Sequence, residues 1–187
     1  MHHLLRPSLS TYAIGYKINI IDTPGYDDFV GEVISALRVA DTGVLLLNAS
    51  VGVEVGADLV WDYTEQFRTP MIFVINQLDH ETADFDKTFR EAKSHFGPNV
   101  VAIQYPVNPG IGFNEIIDTL HMVMYRFTNG KSEELPIPDN EREKADAMHK
   151  ELIEVVASND EVLMEKYFDQ GELSEEDLKL GIKKAMI

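Results

Sequence analysis

The chain has 187 residues, 44% of them hydrophobic, and a formal net charge of −16. This composition disfavours disorder over most of the chain, and no apolar run reaches the roughly 20 residues that a membrane-spanning helix needs. The absence of cysteine excludes disulfides and thiolate metal sites, so we expect a cytoplasmic protein, and its negative charge disfavours binding to free nucleic acid.

Four strands are predicted in the first half of the chain. Residues 8–14 and 17–22 flank Gly15-Tyr16, a pattern typical of a hairpin. Residues 43–48 and 71–76 are continuously apolar, which predicts parallel strands that are buried on both faces of a sheet.

Helical spacing of apolar residues fills the intervals between and after these strands. The predicted helices are residues 29–40, 54–67 and 85–96. Strands that alternate with helices of this length predict an α/β fold in which right-handed crossovers build a doubly wound sheet.

The sequence pattern changes near residue 98. A strand is predicted at 100–105, a Pro- and Gly-rich turn at 106–112 and a short helix at 114–120. Residues 121–128 and 132–137 flank Asn129-Gly130, which predicts a hairpin because both residues tolerate positive φ.

An acidic helical region completes the chain. Asp139 is predicted to cap a helix that ends near residue 157, a shorter helix spans 161–168, and Ser174 opens the last one. We therefore predict an incomplete doubly wound domain at residues 1–98 and an appended α+β subdomain at residues 99–187.

The first motif with chemical meaning is Asp22-Thr23-Pro24-Gly25, which ends the second predicted strand. In an open α/β sheet, the last residues of a strand reach the ligand crevice. There Asp22 can hold Mg²⁺ through a water molecule, and the backbone N–H of Gly25 can approach a phosphate because no side chain intervenes. Taken alone, the motif is equally typical of a structural loop.

The second motif is Asn76-Gln77-Leu78-Asp79, which again follows a predicted strand. An Asp here can accept hydrogen bonds from the N1–H and N2 amino groups of guanine, and Asn76 can tie the base site to a phosphate-binding loop. Alone this motif is weak evidence, because Asn and Asp are common in strand-to-helix turns. The two motifs in this order, each at the end of a strand, are much stronger evidence together.

With their neighbouring residues, the two motifs resemble the translational GTPases, and elongation factor G in particular. The resemblance rests on residues 20–25, Asp28-Phe29, Glu32-Val33, 37–39 and Asp41, then on Ala83-Asp84-Phe85 and 163–167. It covers nearly the whole chain, including the insert subdomain that is typical of this factor.

The resemblance implies a P-loop-NTPase-like fold and GTP-dependent movement of tRNA and mRNA through the ribosome. It implies GTP or GDP and Mg²⁺ as ligands. The residues it assigns are Asp22 at the Mg²⁺ water, Thr23, Pro24 and Gly25 in the switch turn, and Asn76, Gln77 and Asp79 at the nucleotide. A ribosomal-protection or release-factor-type GTPase is the alternative interpretation.

Two residues depart from the family pattern. Tyr26 stands where the family has a catalytic His that positions the attacking water, and a neutral phenol does not reproduce an imidazole. We therefore expect weakened GTP hydrolysis. Gln77 stands where the family usually has Lys, so we expect lower nucleotide affinity without loss of the preference for guanine.

The phosphate-binding loop Gly-x-x-x-x-Gly-Lys-[Ser/Thr] is expected before residue 8 and is not found among the 187 residues. Gly130-Lys131-Ser132 resembles its end, but Tyr125 occupies the place of the first Gly, so we interpret this segment as a hairpin. We expect an internal fragment that fails a nucleotide-binding test in isolation, because most phosphate contacts are missing.

The acidic helices leave a second function open. Residues 141–159 and 174–187 can dock a basic partner, here a ribosomal stalk protein, or their charge can simply keep the domain soluble. The histidines show neither metal-ligand spacing nor a carboxylate relay, so we expect His80, His95, His121 and His149 at the surface or in hairpins.

Overall fold

The computed structural model describes residues 9–13, 15–25 and 30–185. The chain forms two compact units. The first comprises the residues up to Leu45 together with Glu54–Phe73, and the second comprises Leu46–Val53 together with the chain from Val74 onward.

The first unit begins with the predicted hairpin. Strands β1 (Leu9–Ala13) and β2 (Tyr16–Ile20) pair antiparallel, with Ala13 opposite Tyr16. Gly15 lies in the turn with φ 80°, a left-handed conformation that glycine adopts without steric cost. The hairpin prediction is therefore confirmed, although Tyr16 belongs to the strand rather than to the turn.

Two helices of the first unit, α1 (Val30–Leu37) and α2 (Val55–Phe67), pack against each other. The guanidinium of Arg38, just after α1, lies 5.3 Å from the centroid of the Phe67 ring. The Thr69 hydroxyl donates to the Leu37 carbonyl at 3.4 Å. These contacts join the carboxyl ends of both helices.

Strands β3 (Gly43–Asn48) and β4 (Met71–Asn76) have the bounds that the sequence predicts, and they pair with each other. They run parallel, because the N–H of Gly43 donates to the Pro70 carbonyl at 2.8 Å and the N–H of Ala49 donates to the Asn76 carbonyl at 2.9 Å.

The predicted burial of these two strands on both faces is wrong. Their alternate apolar side chains, Val44, Leu46, Ile72 and Val74, are between 40% and 62% exposed. Within the described residues, only the intervening side chains of each strand are covered. Continuous apolar runs therefore reveal the strands but not how much of each face this chain covers itself.

The second unit continues with α3 (Phe85–Phe96), whose bounds match the prediction. The Asp84 side chain caps this helix by accepting a hydrogen bond from the N–H of Lys87 at 2.8 Å. Phe85, Ala92 and Phe96 lie on its buried face.

A four-stranded antiparallel sheet follows in the order β5-β6-β7-β8. Its strands are Gln104–Pro106, Glu115–Asp118, Val123–Thr128 and Lys131–Leu135. The helix predicted at residues 114–120 is wrong, because β6 occupies this segment and is hydrogen-bonded on both edges. Pairing with two neighbouring strands outweighs the weak helical pattern of a seven-residue window.

The hairpin between β7 and β8 is confirmed. Thr128 pairs with Lys131, and the two residues between them, Asn129 and Gly130, have φ of 50° and 75°. Positive φ at both central positions is the conformation of a two-residue hairpin turn. Gly130-Lys131-Ser132 therefore belongs to a hairpin and not to a phosphate-binding loop.

Three helices complete the second unit: α4 (Asp139–Ser158), α5 (Glu161–Gln170) and α6 (Glu175–Ala185). Pro138, rather than the expected Asp139, occupies the N-cap position of α4. Asp160 caps α5 by accepting from the N–H groups of Val162 and Leu163, and Ser174 accepts from the N–H of Asp177 at the start of α6.

Two buried clusters stabilise the second unit. One includes Phe85, Tyr105, Ile117 and Met124 and lies around the four-stranded sheet. The other joins α4, α5 and α6 through Leu152, Val156, Leu163 and Leu178. None of the helices in the described part of the chain has the length and apolar character needed to cross a membrane.

The division into domains at residues 1–98 and 99–187 stays a prediction. The four-stranded sheet and helices α4 to α6 all begin after residue 98.

Candidate functional site

The carboxyl ends of β3 and β4 are locked together at Ala49, whose side chain is 1% exposed. Its N–H donates to the Asn76 carbonyl at 2.9 Å, and its own carbonyl accepts from the N–H of Asp84 at 2.8 Å. The end of β4 and the beginning of α3 are thereby fixed to the same residue. The segment between them is a short turn with two anchored ends.

This turn brings together the residues of the second sequence motif. Asn76, Gln77 and Asp79 are all exposed, and the N–H of His80 donates to the Gln77 carbonyl at 3.2 Å. Gln77 has φ 60°, a left-handed conformation that non-glycine residues adopt at a cost of about 1 to 3 kcal/mol. Strain of this kind is typical of ligand-binding turns.

A loop from the four-stranded sheet supports the turn. The N–H of Gly110, in the segment between β5 and β6, donates to the carbonyl of Leu78 at 2.7 Å. The same segment is ordered by Asn108, whose side chain accepts from the N–H groups of Asn114 and Glu115 and donates to Asn114 Oδ1.

Asn48, the last residue of β3, is a contributor to the site that the sequence motifs do not identify. Its Nδ2 donates to Gln77 Oε1 at 3.0 Å, and its Oδ1 accepts from the N–H of Ser50 at 2.8 Å. Its place in the sequence is nevertheless informative, because Asn48 and Asn76 both end parallel strands that are hydrogen-bonded neighbours.

His80 connects the same two segments. Its Nδ1 lies 3.0 Å from Thr82 Oγ1 and 3.4 Å from Ser50 Oγ. Since Asp79 precedes His80 directly, this contact constrains the backbone that carries the Asp79 carboxylate. Asp79 is exposed, and no described residue donates a hydrogen bond to its carboxylate.

The first sequence motif, Asp22 to Gly25, follows β2 in the first unit. Asp22 and Gly25 are exposed, whereas Thr23 and Pro24 are half-buried. A Cβ at Gly25 would meet no atom within 4 Å, and φ is not left-handed there. The local fold therefore does not require a glycine, which is consistent with close approach of a ligand to its backbone. Tyr26 lies outside the described residues.

The exposed Asp22 carboxylate is an oxygen ligand of the kind that Mg²⁺ prefers, and one carboxylate with several waters is a usual Mg²⁺ environment. Asp22 therefore fits the role that the resemblance assigns to it. Among the described residues, no group of three or more His, Asp or Glu side chains is arranged to hold a metal ion.

A carboxylate relay is present at His121, contrary to the expectation from the sequence. His121 Nδ1 lies 3.0 Å from Asp118 Oδ2, and its Nε2 lies 3.4 Å from Glu175 Oε1. Burial raises the pKa of Asp118, but the hydrogen bonds that His121 and Gln104 donate lower that pKa more, so the net shift is downward. This relay joins β6 to the start of α6.

A separate acidic cavity of about 370 Å³ lies beside the start of α3. Its charged lining residues are Glu81, Asp84, Asp86, Glu141 and Lys144. Glu141 contacts the buried Tyr105 hydroxyl, and burial together with this carboxylate raises the pKa of Tyr105. Asn76, Gln77 and Asp79 do not line this cavity, and all three are exposed.

Comparison with known proteins gives the same assignment over most of the chain. Residues 8–181 match the family model described as the elongation factor Tu GTP binding domain. Elongation factor G from Thermotoga neapolitana is 36% identical over 176 residues, which are 92% of this chain and 25% of that protein. Elongation factor G from Mycoplasma pneumoniae is 36% identical over 174 residues, or 91% of this chain and 25% of that protein.

A crystal structure of a protein from Thermus thermophilus superimposes with a TM-score of 0.86 at 30% sequence identity. The match covers 96% of this chain and 28% of that one. The mixed α/β fold is therefore that of a P-loop-NTPase-like GTPase domain. The chain spans a quarter of the length of the curated relatives that it matches.

Proposed function

Because this chain belongs to the elongation factor Tu GTP-binding domain family, we propose that it serves in a GTP-binding translation elongation factor that promotes ribosomal translocation in the cytoplasm. The observation that carries this proposal is the strained turn after β4, which presents Asn76, Gln77 and Asp79 on one exposed surface.

Asp79 is the residue that selects guanine in this proposal. Its two carboxylate oxygens accept one hydrogen bond each from N1–H and the N2 amino group, and adenine does not offer this pair of donors. The carboxylate has no competing donor among the described residues, and its backbone is held by the bonds at Ala49, Gly110 and His80. A pre-organised acceptor of this kind binds without first breaking an internal contact.

Asp22 to Gly25, in the first unit, are proposed to contribute to phosphate binding. Asp22 would hold Mg²⁺ through a water molecule, and the backbone N–H of Gly25 would donate to a phosphate oxygen. Mg²⁺, when bound, neutralises the charge on the β- and γ-phosphates. Asp22 is exposed and Gly25 is open to approach, which supports these roles.

Hydrolysis of GTP is weakened in this proposal because Tyr26 replaces the family's catalytic His. Positioning of the attacking water is one of the few tasks that the protein performs directly in phosphoryl transfer. A phenol with a pKa near 10 remains neutral at physiological pH, so it donates one hydrogen bond but does not become a cation.

The ribosome is the proposed partner, and α4 is proposed to contact a basic patch of a ribosomal stalk protein. Glu143 and Asp146 are exposed on this helix and make no ion pair with the described residues. Reversing both charges to Lys is expected to abolish capture of purified stalk protein in a pull-down. Reversing Asp169 on α5 is the control, and capture by the doubly reversed protein would contradict the contact.

Guanine recognition is tested by Asp79→Asn in the protein as the cell makes it. An Asn side chain still accepts from N1–H, but its amide donates, so it fits xanthine, which carries an oxygen in place of the N2 amino group. GDP affinity should fall at least tenfold while affinity for xanthosine diphosphate rises, as measured by calorimetry. A site built around a specific hydrogen-bonding pattern discriminates strongly against the wrong base.

The matched control is Asp169→Asn, which makes the same chemical change at an exposed position on α5. It should leave both affinities unchanged. Equal GDP affinity in the wild type and in Asp79→Asn would refute the proposed guanine site.

A further inference from the structure

The side-chain amides of Asn48 and Gln77, at the turn after β4, have linked orientations. The N–H of Ser50 donates to Asn48 Oδ1 at 2.8 Å, and Asn48 Nδ2 donates to Gln77 Oε1 at 3.0 Å. A backbone N–H is always a donor, whereas an amide nitrogen does not accept. The N–H of Ser50 therefore fixes the orientation of the Asn48 amide: its oxygen faces Ser50 and its nitrogen faces Gln77.

The orientation of Asn48 in turn determines that of Gln77. Because Asn48 presents its nitrogen, Gln77 must present its oxygen in return, and its own Nε2 hydrogens point away from Asn48. Within the part of the chain that the structure describes, no group accepts these hydrogens. Gln77 is exposed in the turn between Asn76 and Asp79, so its free donor lies where a nucleoside binds in the proposed function.

The backbone of this turn has little freedom left to change that arrangement. The carbonyls of Asn76, Gln77 and Leu78 all accept backbone hydrogen bonds. Their donors are the N–H groups of Ala49, His80 and Gly110 respectively. A 180° turn of the Gln77 amide is then the simplest way to exchange a donor for an acceptor at the ligand. Asn48 is the residue that opposes it.

We propose that Asn48 is a positioning residue that fixes Gln77 as a hydrogen-bond donor to an oxygen of the bound guanine nucleoside. The inference rests on the guanine-nucleotide binding proposed above and assigns a role to a residue outside both sequence motifs. The ribose oxygens and the guanine O6 are the oxygen acceptors of a guanine nucleoside.

Asn48→Asp changes the orientation of the Gln77 amide while it keeps the shape of the site. A carboxylate of nearly the same size still accepts from the N–H of Ser50, but it has no hydrogen to donate to Gln77 Oε1. Gln77 then turns its Nε2 toward the carboxylate and presents its oxygen to the nucleoside. The midpoint of thermal unfolding should stay unchanged, because both hydrogen bonds of the turn are kept with one polarity reversed.

The expected result is a GDP affinity about threefold to tenfold lower, the equivalent of one neutral hydrogen bond, in calorimetry on the protein as the cell makes it. Gln77→Ala should produce a similar loss, and the double variant should lose no more than either single one. Asn159→Asp is the matched control. It adds the same charge and removes the bond from Asn159 Nδ2 to the Val155 carbonyl, far along the chain from the turn, so GDP affinity should not change.

Three outcomes would overturn the proposal. Wild-type affinity in Asn48→Asp would show that the amide orientation does not matter. A loss that persists undiminished in the Gln77→Ala background would mean that the new carboxylate repels the nucleotide directly. If the wild-type protein binds GDP and ADP equally, the guanine site itself is wrong and the role of Asn48 is wrong with it. In the first two cases, the proposed guanine site stands.

Discussion

The backbone N–H of Gly110 donates a 2.7 Å hydrogen bond to the carbonyl oxygen of Leu78, which joins the segment between β5 and β6 to the turn that carries Asp79. Gly110 has φ 109°, a conformation that L side chains rarely adopt. The segment between β5 and β6 therefore supports the candidate nucleotide site through a backbone hydrogen bond made at a residue whose conformation favours glycine.

Gly110→Ala should weaken the hydrogen bond from the N–H of Gly110 to the Leu78 carbonyl. The added methyl meets no atom within 4 Å, so the expected cost of about 1 to 3 kcal/mol comes from the backbone conformation alone. Relaxation of φ shifts the N–H away from Leu78, and the GDP affinity of the full-length protein should fall a few-fold, as measured by calorimetry. Gly130→Ala imposes a similar penalty at φ 75° in the β7–β8 hairpin and should leave GDP affinity intact. Equal effects of both variants on affinity would show that only general stability matters.

Gly181 is required by packing rather than by backbone conformation. A Cβ at this position of α6 would lie 2.7 Å from Leu163 Cδ1 and closer still to Val156 Cγ1. Gly181→Ala should therefore lower the free energy of unfolding by about 1 to 3 kcal/mol, as overpacking of a filled core does. Chemical denaturation monitored by circular dichroism measures this loss.

Gly31 provides the matched helical control for Gly181. It lies in α1, and a Cβ there would meet no atom within 4 Å. Gly31→Ala should raise the free energy of unfolding by up to about 1 kcal/mol, since alanine favours the helix more than glycine does. If Gly181→Ala also stabilises the protein, the close packing between α6, α4 and α5 is wrong.

The local parts of this structure follow from the sequence, because their determinants are local. Asn129-Gly130 dictates a tight turn through positive φ at two successive residues. The bounds of β3, β4 and α3 follow from apolar runs and helical spacing. The residues of the second motif lie close together because Asn76 ends a strand and the others follow it directly.

Features that depend on distant partners did not follow from the sequence. Residues 115–118 form a strand because β5 pairs with them from 10 to 14 residues away and β7 pairs with them from 5 to 11 residues away, and a seven-residue window does not contain both partners. The contact between His121 and Glu175 joins residues far apart in the chain. Asn48 likewise lies 29 positions before Gln77. Such pairings become visible only once the strands and helices are placed.

Asp118 should make the protein sensitive to acid. The hydrogen bonds that it accepts give it a folded-state pKa below the ordinary value of 3.8, despite its burial. A carboxyl group with a lowered pKa contributes stability that is present above the unfolded value and is lost as pH falls through the folded one. The free energy of unfolding should therefore decline as the pH is lowered below about 4, measured by urea denaturation at successive pH values.

Asp118→Asn isolates this contribution. At neutral pH it should cost about 1 to 3 kcal/mol, because the amide nitrogen faces donors and leaves a buried bond unmade. The difference from the wild type should shrink in acid, where the wild-type carboxyl group is itself protonated. Asp169→Asn, at an exposed position, should shift neither the stability nor its pH dependence. A difference that remains constant down to the lowest pH would show that the Asp118 charge contributes nothing.

Tyr26→His tests whether the substituted position limits GTP hydrolysis. If Tyr26 stands at the water-positioning place, an imidazole restores a group that orients the attacking water, and ribosome-stimulated GTP cleavage should become much faster in single-turnover measurements. GDP affinity should stay the same, since guanine recognition depends on Asp79. Tyr63→His is the control, because it makes the same exchange on α2. Fast and equal cleavage by the wild type and Tyr26→His would mean that hydrolysis does not need an imidazole at this position.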